Sequence, residues 1–291
     1  AACNPLIADM YTKNRTEMLN KFHVWFPGGI VIGALAANFL SSFDLGWQIK
    51  IAVMIPPTLI YGYMFFKEKF PKSENIDTDT STNIRSLFTL LFIFIALCMT
   101  LTATTELGTQ QWLQPLLEKS GASPMLILAM VTGIMAVGRY FAGPIVHKLN
   151  PIGVLFMSAI VSTVAIYLMS IVDGTALYGA AVLFAFGVCY FWPTMIGFVA
   201  EYLPKTGALG MSLVGGMGMF ATGIWNPVIG SWIDDNTQIA LDSGLTQDLA
   251  EIAAGKATLA NMTYFPLILI LFFGILFLNR NKLEKLRFNN A

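Results

Sequence analysis

Glu106 closes the run Thr100-Leu101-Thr102-Ala103-Thr104-Thr105-Glu106, a polar ladder ending in an acid inside an otherwise apolar stretch. An acid at or within a membrane boundary is costly to keep there, and is a functional candidate by default. Such a carboxylate can exchange a proton or bind a solute hydroxyl; as a plain helix-end acid it sits in the outer headgroup region. Gln110, Gln111 and Trp112 follow at once. They complete a polar pocket, or stand as surface polar groups with an interfacial Trp.

Three further sets carry polar chemistry on apolar segments. Tyr190, Trp192 and Pro193 combine aromatic faces with a proline. Proline removes a backbone donor, and the freed carbonyl can face a cavity. Trp225, Asn226 and Pro227 form a similar set, in which Asn226 needs a partner. Either set can also be lipid-facing aromatics on a kinked helix. Arg139 lies within an apolar window, so it either snorkels or pairs with an acid on another helix. His23 is a proton-labile group or an interfacial cap.

The elements that must position these groups follow from composition. The chain has 291 residues, 56% hydrophobic and 12% charged. A soluble domain carries about 25% charged residues, so this chain cannot coat a water-facing surface of its size. Mean hydropathy is +0.66. A zero net charge gives no reason to expect nucleic acid. Cys3, Cys98 and Cys189 are scattered in apolar runs, which fits neither a disulfide framework nor a metal site. No phosphate loop, G-x-S-x-G or H-E-x-x-H occurs, and no cofactor is expected.

A spanning helix needs about 20 mostly apolar residues. Eight windows qualify: 22–42, 48–66, 86–106, 124–146, 152–172, 176–200, 208–232 and 262–279. The expected class is an all-α polytopic membrane protein with eight complete transmembrane helices. Lys and Arg divide unevenly between alternate connections. Only Lys50, Lys119 and Lys256 fall on one side; the other fourteen fall on the opposite side, including Arg280, Lys282, Lys285 and Arg287. The basic side is therefore expected to be cytoplasmic, with the C-terminus. The acidic stretch 233–260 is expected as a long outer loop.

Residues 67–85 have linker composition. They divide the chain into 1–66, the end of one half, and 86–291, a second half with a tail. Two helix-to-loop junctions also match. Ala8-Asp9 through Lys13 and Ala200-Glu201 through Lys205 each place an acid at a helix end and a Lys four residues later. Both precede Gly-rich spans, with Gly28, Gly29 and Gly33 in one and Gly215, Gly216, Gly218 and Gly223 in the other. Repeats of this kind mark transporters, and close helix approach is expected at Gly215, Gly216, Gly218 and Gly223, with Ala221. If each copy holds six spans, the first three spans and most of the fourth precede residue 1.

These stretches resemble the major facilitator superfamily (MFS). Asn4-Pro5 through Arg15 looks like the end of a fourth MFS span. Leu19 to His23 with Phe26-Pro27-Gly28-Gly29 resembles the opening of the fifth span in the fucose–proton symporter branch. Gly138 to Gly143 with His147-Lys148 is similar to the turn between the eighth and ninth spans. Phe191-Trp192-Pro193-Thr194 through Ala208 resembles the tenth-span exit. His147 stands where the family pattern usually has Asp.

The resemblance implies two six-helix halves, alternating access and secondary transport of a small polar solute, with sugar favoured and a proton as coupling partner. It places Glu106, Gln110, Gln111, Trp112, Tyr190, Trp192 and Asn226 at a substrate or coupling site. It draws an inside gate from Asp9, Arg15, Arg139, Lys148, Glu201 and Lys205. It implies a non-enzymatic, multi-pass protein of the inner or plasma membrane, monomeric when full length. A solute sensor of the same fold and an intramembrane lipid-modifying enzyme are the alternatives.

Overall fold

The computed structural model of the protein describes residues 3–69, 79–112 and 124–289. Every element among them is helical. Hydrocarbon offers no water to backbone N–H and C=O groups, so a chain this apolar closes its hydrogen bonds within each helix. Among the described residues, seven helices are long and apolar enough to cross a bilayer: Arg15–Ser41, Trp47–Lys67, Leu90–Trp112, Ala142–Ile171, Ala176–Tyr202, Pro204–Asp242 and Gln247–Leu278. A shorter apolar helix, Leu126–Tyr140, lies between the third and fourth.

The 124–146 window is thus divided. The helix Pro124–Tyr140 stops at Phe141, and a new helical stretch starts at Ala142. That stretch is itself bent at Asn150, whose φ of 54° is non-helical. Asn tolerates this left-handed region better than most residues. Its Oδ1 accepts from the Gly153 N–H at 3.0 Å, and Pro151 follows at the first helical position. Residues 151–171 therefore start afresh, close to the expected 152–172.

The stretch 233–260 is a correction. Instead of a loop, it forms the adjoining ends of two helices, Gly207–Asp242 and Gln247–Met262. The first has 36 residues. At 1.5 Å per residue it is about 54 Å long, well beyond a hydrocarbon core of about 30 Å. Alanines and leucines keep the helical pattern running among the acids, and only residues 243–246 break it. Gly244 turns the chain with a φ of 90°.

The core surrounds Phe191–Tyr202, which buries every residue but Trp192. Phe184, Phe191, Phe198 and Phe273 fill the space around it. By contrast, Trp47–Lys67 buries none of its residues. Lipid tails are as apolar as Leu, so such a surface carries no penalty in a bilayer.

Close helix approach falls at other glycines than those expected. A Cβ on Gly28, Gly29, Gly33, Gly215, Gly216 or Gly223 would meet nothing within 4 Å. Of the glycines named from the sequence, Gly218 is tight: its Cβ would lie 2.9 Å from Met99 and 3.0 Å from Trp192. The closest backbone approach is at Gly187, where a Cβ would fall 2.6 Å from the Ser162 nitrogen. Of the expected 67–85 linker, residues 70–78 lie outside the described residues, and Thr80–Leu87 is a helix. Asp79 caps it by accepting from the Ser81 N–H.

Candidate functional site

The Leu90–Trp112 helix widens at Thr104–Gly108 into one π-helical turn. Such turns break the regular ladder and occur mostly at functional sites. The Thr104 and Thr105 hydroxyls donate to the Thr100 and Leu101 carbonyls at 2.8 and 2.7 Å. Glu106 lies in the middle of this turn and is 1% exposed.

Arg139, also 1% exposed, reaches it from the neighbouring helix. Its Nη2 donates to Glu106 Oε1 at 2.9 Å. Its Nε donates to the Cys189 carbonyl at 2.7 Å, and its Nη1 to the His23 carbonyl at 3.3 Å. One guanidinium thus ties together four helical segments. A buried charge is tolerable only when paired and further hydrogen-bonded, and Arg139 meets both conditions. Glu106 meets them in part. The Trp192 backbone amide lies beside its carboxylate, yet Oε2 has no hydrogen-bond partner among the described residues.

Further unpartnered polar atoms follow on the same helix. Thr109 Oγ1 and Trp112 Nε1 are buried without a partner among the described residues. The spacing of three from Glu106 through Thr109 to Trp112 strings them along adjoining turns. Asn226 joins them from the Gly207–Asp242 helix. Its Nδ2 donates to Gln111 Oε1 at 2.8 Å, while its Oδ1 has no partner among the described residues. Gln110 Nε2 meets the Met135 sulfur at 3.3 Å. The Trp112 ring packs over Gly230, and Trp225 packs edge-on against Phe265 at 4.7 Å. A buried polar atom without a partner costs about 1–3 kcal/mol. Several together, between aromatic faces, provide donors and acceptors for a polar solute.

Tyr190 and Trp192 take other places. The Tyr190 hydroxyl donates to the Gly138 carbonyl at 3.2 Å, bracing the helix that carries Arg139. Trp192 packs against Gly218.

The residues expected at the gate separate into groups. Arg139 belongs to the central pair just described. Arg15 caps two helix ends: Nε donates to the Ala8 carbonyl at 3.2 Å and Nη1 to the Ala200 carbonyl at 2.9 Å. Residue 204 is a proline, so Ala200 has no N–H four residues on to bond. Glu201 Oε1 accepts the Thr16 N–H at 3.0 Å and its hydroxyl at 2.6 Å. A carboxylate at the start of the Arg15–Phe22 helix also meets the positive end of its dipole. Asn20, fully buried, extends the link by donating to Thr194 Oγ1 at 3.4 Å. Asp9 is half-buried beside this group, whereas Lys148 and Lys205 are exposed.

A second polar link at this end was not anticipated. Glu17 joins Lys21 at 2.8 Å and His147 at 2.9 Å. Thr16, Thr109 and the His23 carbonyl were missed as well, and the carbonyl freed by Pro193 was expected at a cavity rather than on Arg139. The carbonyls did leave a signal, since each lies four residues before a proline.

A bundle of apolar helices enclosing a buried ion pair and unpartnered polar groups is the frame of a polytopic membrane protein. The profile of the Major Facilitator Superfamily matches residues 1–225. The chain belongs to this family and is a multi-pass membrane transporter. No curated protein and no solved structure matches it.

Proposed function

We propose that the protein is a secondary active transporter that moves a small polar solute by alternating access, driven by protons. Glu106 is the coupling group. The observation that carries this reading is its carboxylate, buried, paired on one oxygen with Arg139 and unpartnered on the other. Taking up a proton removes the attraction that holds Arg139, and losing it restores that attraction. A group whose charge changes its tie to four segments can link protonation to their rearrangement.

The solute is received at Thr109, Gln111, Trp112 and Asn226. Hydroxyls suit the orphan donors and acceptors, and C–H faces suit the rings, so a monosaccharide is the favoured class. The Arg15 and Glu201 contacts form the inner gate and are cytoplasmic, as is the basic C-terminus. The eight windows belong to a two-half, twelve-span arrangement in a cell's inner or plasma membrane, acting as a monomer. The test uses purified transporter in pyranine-loaded proteoliposomes and a monosaccharide panel that begins with L-fucose. Solute-driven acidification of the lumen is expected for at least one sugar. Binding of a sugar without any solute or proton flux would favour a sensor instead.

A further inference from the structure

The two carbonyls that hold Arg139 share one origin. In an α-helix the carbonyl of residue i accepts from the N–H of residue i+4. Four residues after Cys189 stands Pro193, and four after His23 stands Pro27. Neither proline has an N–H to give. The next bond in each ladder is intact. The Thr194 N–H donates to the Tyr190 carbonyl at 3.1 Å, and the Gly28 N–H to the Val24 carbonyl at 3.0 Å. In each helix one acceptor is orphaned at a prolyl step, and both orphans meet the same guanidinium, at 2.7 and 3.3 Å.

We infer that Pro27 and Pro193 are positioning residues: together they build a carbonyl cradle that fixes Arg139 against Glu106. The cradle meets two needs at once. A carbonyl buried without a partner is costly, and so is a guanidinium with donors unmet. Both prolines are buried, and neither has an N–H to offer the carbonyl four residues before it. Their effect therefore runs through a missing N–H rather than through side-chain contact. The bond to His23 crosses from the helix entered at Arg15 to the helix carrying Arg139, so it is the one exposed to relative movement of the two. The consequence for coupling rests on the role of Glu106 proposed above; the cradle itself does not.

The test reads Arg139 directly. In [15N]arginine-labelled transporter in nanodiscs, the Arg139 Nε–H is assigned by its loss in Arg139→Lys, and its exchange with solvent is measured. Pro193→Ala restores an N–H that competes for the Cys189 carbonyl. Exchange is expected to rise about tenfold, the scale of one charge-assisted hydrogen bond. Lactic acid placed at position 193 by nonsense suppression gives an ester without an N–H, and exchange should stay at the wild-type rate. Unchanged exchange in Pro193→Ala, or equal rises in both variants, would overturn the inference. Where Pro193→Ala does not accumulate, Pro27→Ala is read at the Arg139 Nη1 protons, which bond the His23 carbonyl, with a smaller rise because that bond is longer; no rise there overturns the paired cradle. Uphill uptake is then compared with counterflow in Pro193→Ala. Faster exchange with loss of uphill uptake alone supports both the cradle and coupling through Glu106. Faster exchange with uphill uptake unchanged leaves the cradle standing and removes the coupling role.

Discussion

Thr16 gives both its backbone N–H and its hydroxyl to one oxygen of Glu201, at 3.0 and 2.6 Å. The two residues stand 185 positions apart, on the Arg15–Phe22 and Phe191–Tyr202 helices. The contact thus joins segments on either side of the 67–85 linker. A gate needs such a link, since it must hold in one state and part in another. Glu201→Leu removes the acceptor and leaves the helix start uncapped. A cysteine at Thr194, which is fully buried behind this link, should then react with an impermeant thiol reagent about tenfold faster. Glu201→Gln keeps one acceptor oxygen and should show a smaller rise. Unchanged labelling in Glu201→Leu would remove this contact from the gate.

Helix packing gives a second prediction. A Cβ on Gly187 would meet backbone atoms of Ser162 at 2.6 and 2.7 Å, and neither can move aside alone. Gly187→Ala should therefore cost about 1–3 kcal/mol, the range for overpacking. Gly216→Ala meets nothing within 4 Å and should be neutral or mildly stabilising. Melting of the two variants in the same detergent checks the contrast. Equal melting temperatures would contradict the packing described.

Charge gives a third prediction, on orientation. Of the seventeen basic residues, thirteen fall on one set of connections, three on the other, and Arg139 within the helices, so the side with thirteen should be cytoplasmic. Cysteines at Ser73 and at Asn289 should be protected from impermeant reagents in intact cells and react after permeabilisation. Labelling of either from outside would reverse the topology.

The spans were legible because membrane helices are specified by length and apolarity, which any sequence window displays. Their ends were less so. Residues 233–260 carry acids that read as a loop, yet two helices packed side by side keep their ladders running beyond the bilayer. The site was legible in its residue types and not in its pairings. Glu106 and Arg139 each stood out as costly charges, but which acid meets which base depends on helix rotation, and no local pattern records that. Arg139 was expected inside its window, snorkelling or paired with an acid on another helix, and was assigned to the gate; the acid it meets is Glu106. Glycine spacing misled for a related reason. A glycine matters where another backbone arrives, as Ser162 does at Gly187, and the partner strip is not written beside it.

Asn226 has one amide atom bonded to Gln111 and the other unpartnered, so it should contact solute rather than brace the fold. Asn226→Ala is expected to raise KM for the transported solute about tenfold, with the maximal rate within about twofold of wild type. Concentration-dependent uptake resolves the two. A fall in rate at unchanged KM would place Asn226 outside the binding site.

The central claim is that Glu106 couples proton to solute movement. Glu106→Gln keeps the shape and a hydrogen-bond acceptor for Arg139 but removes the titratable proton. Uphill uptake under an imposed proton gradient and counterflow at equal pH are measured on the same membranes. Loss of uphill uptake with counterflow retained is the predicted result. Undiminished uphill uptake in Glu106→Gln would contradict it.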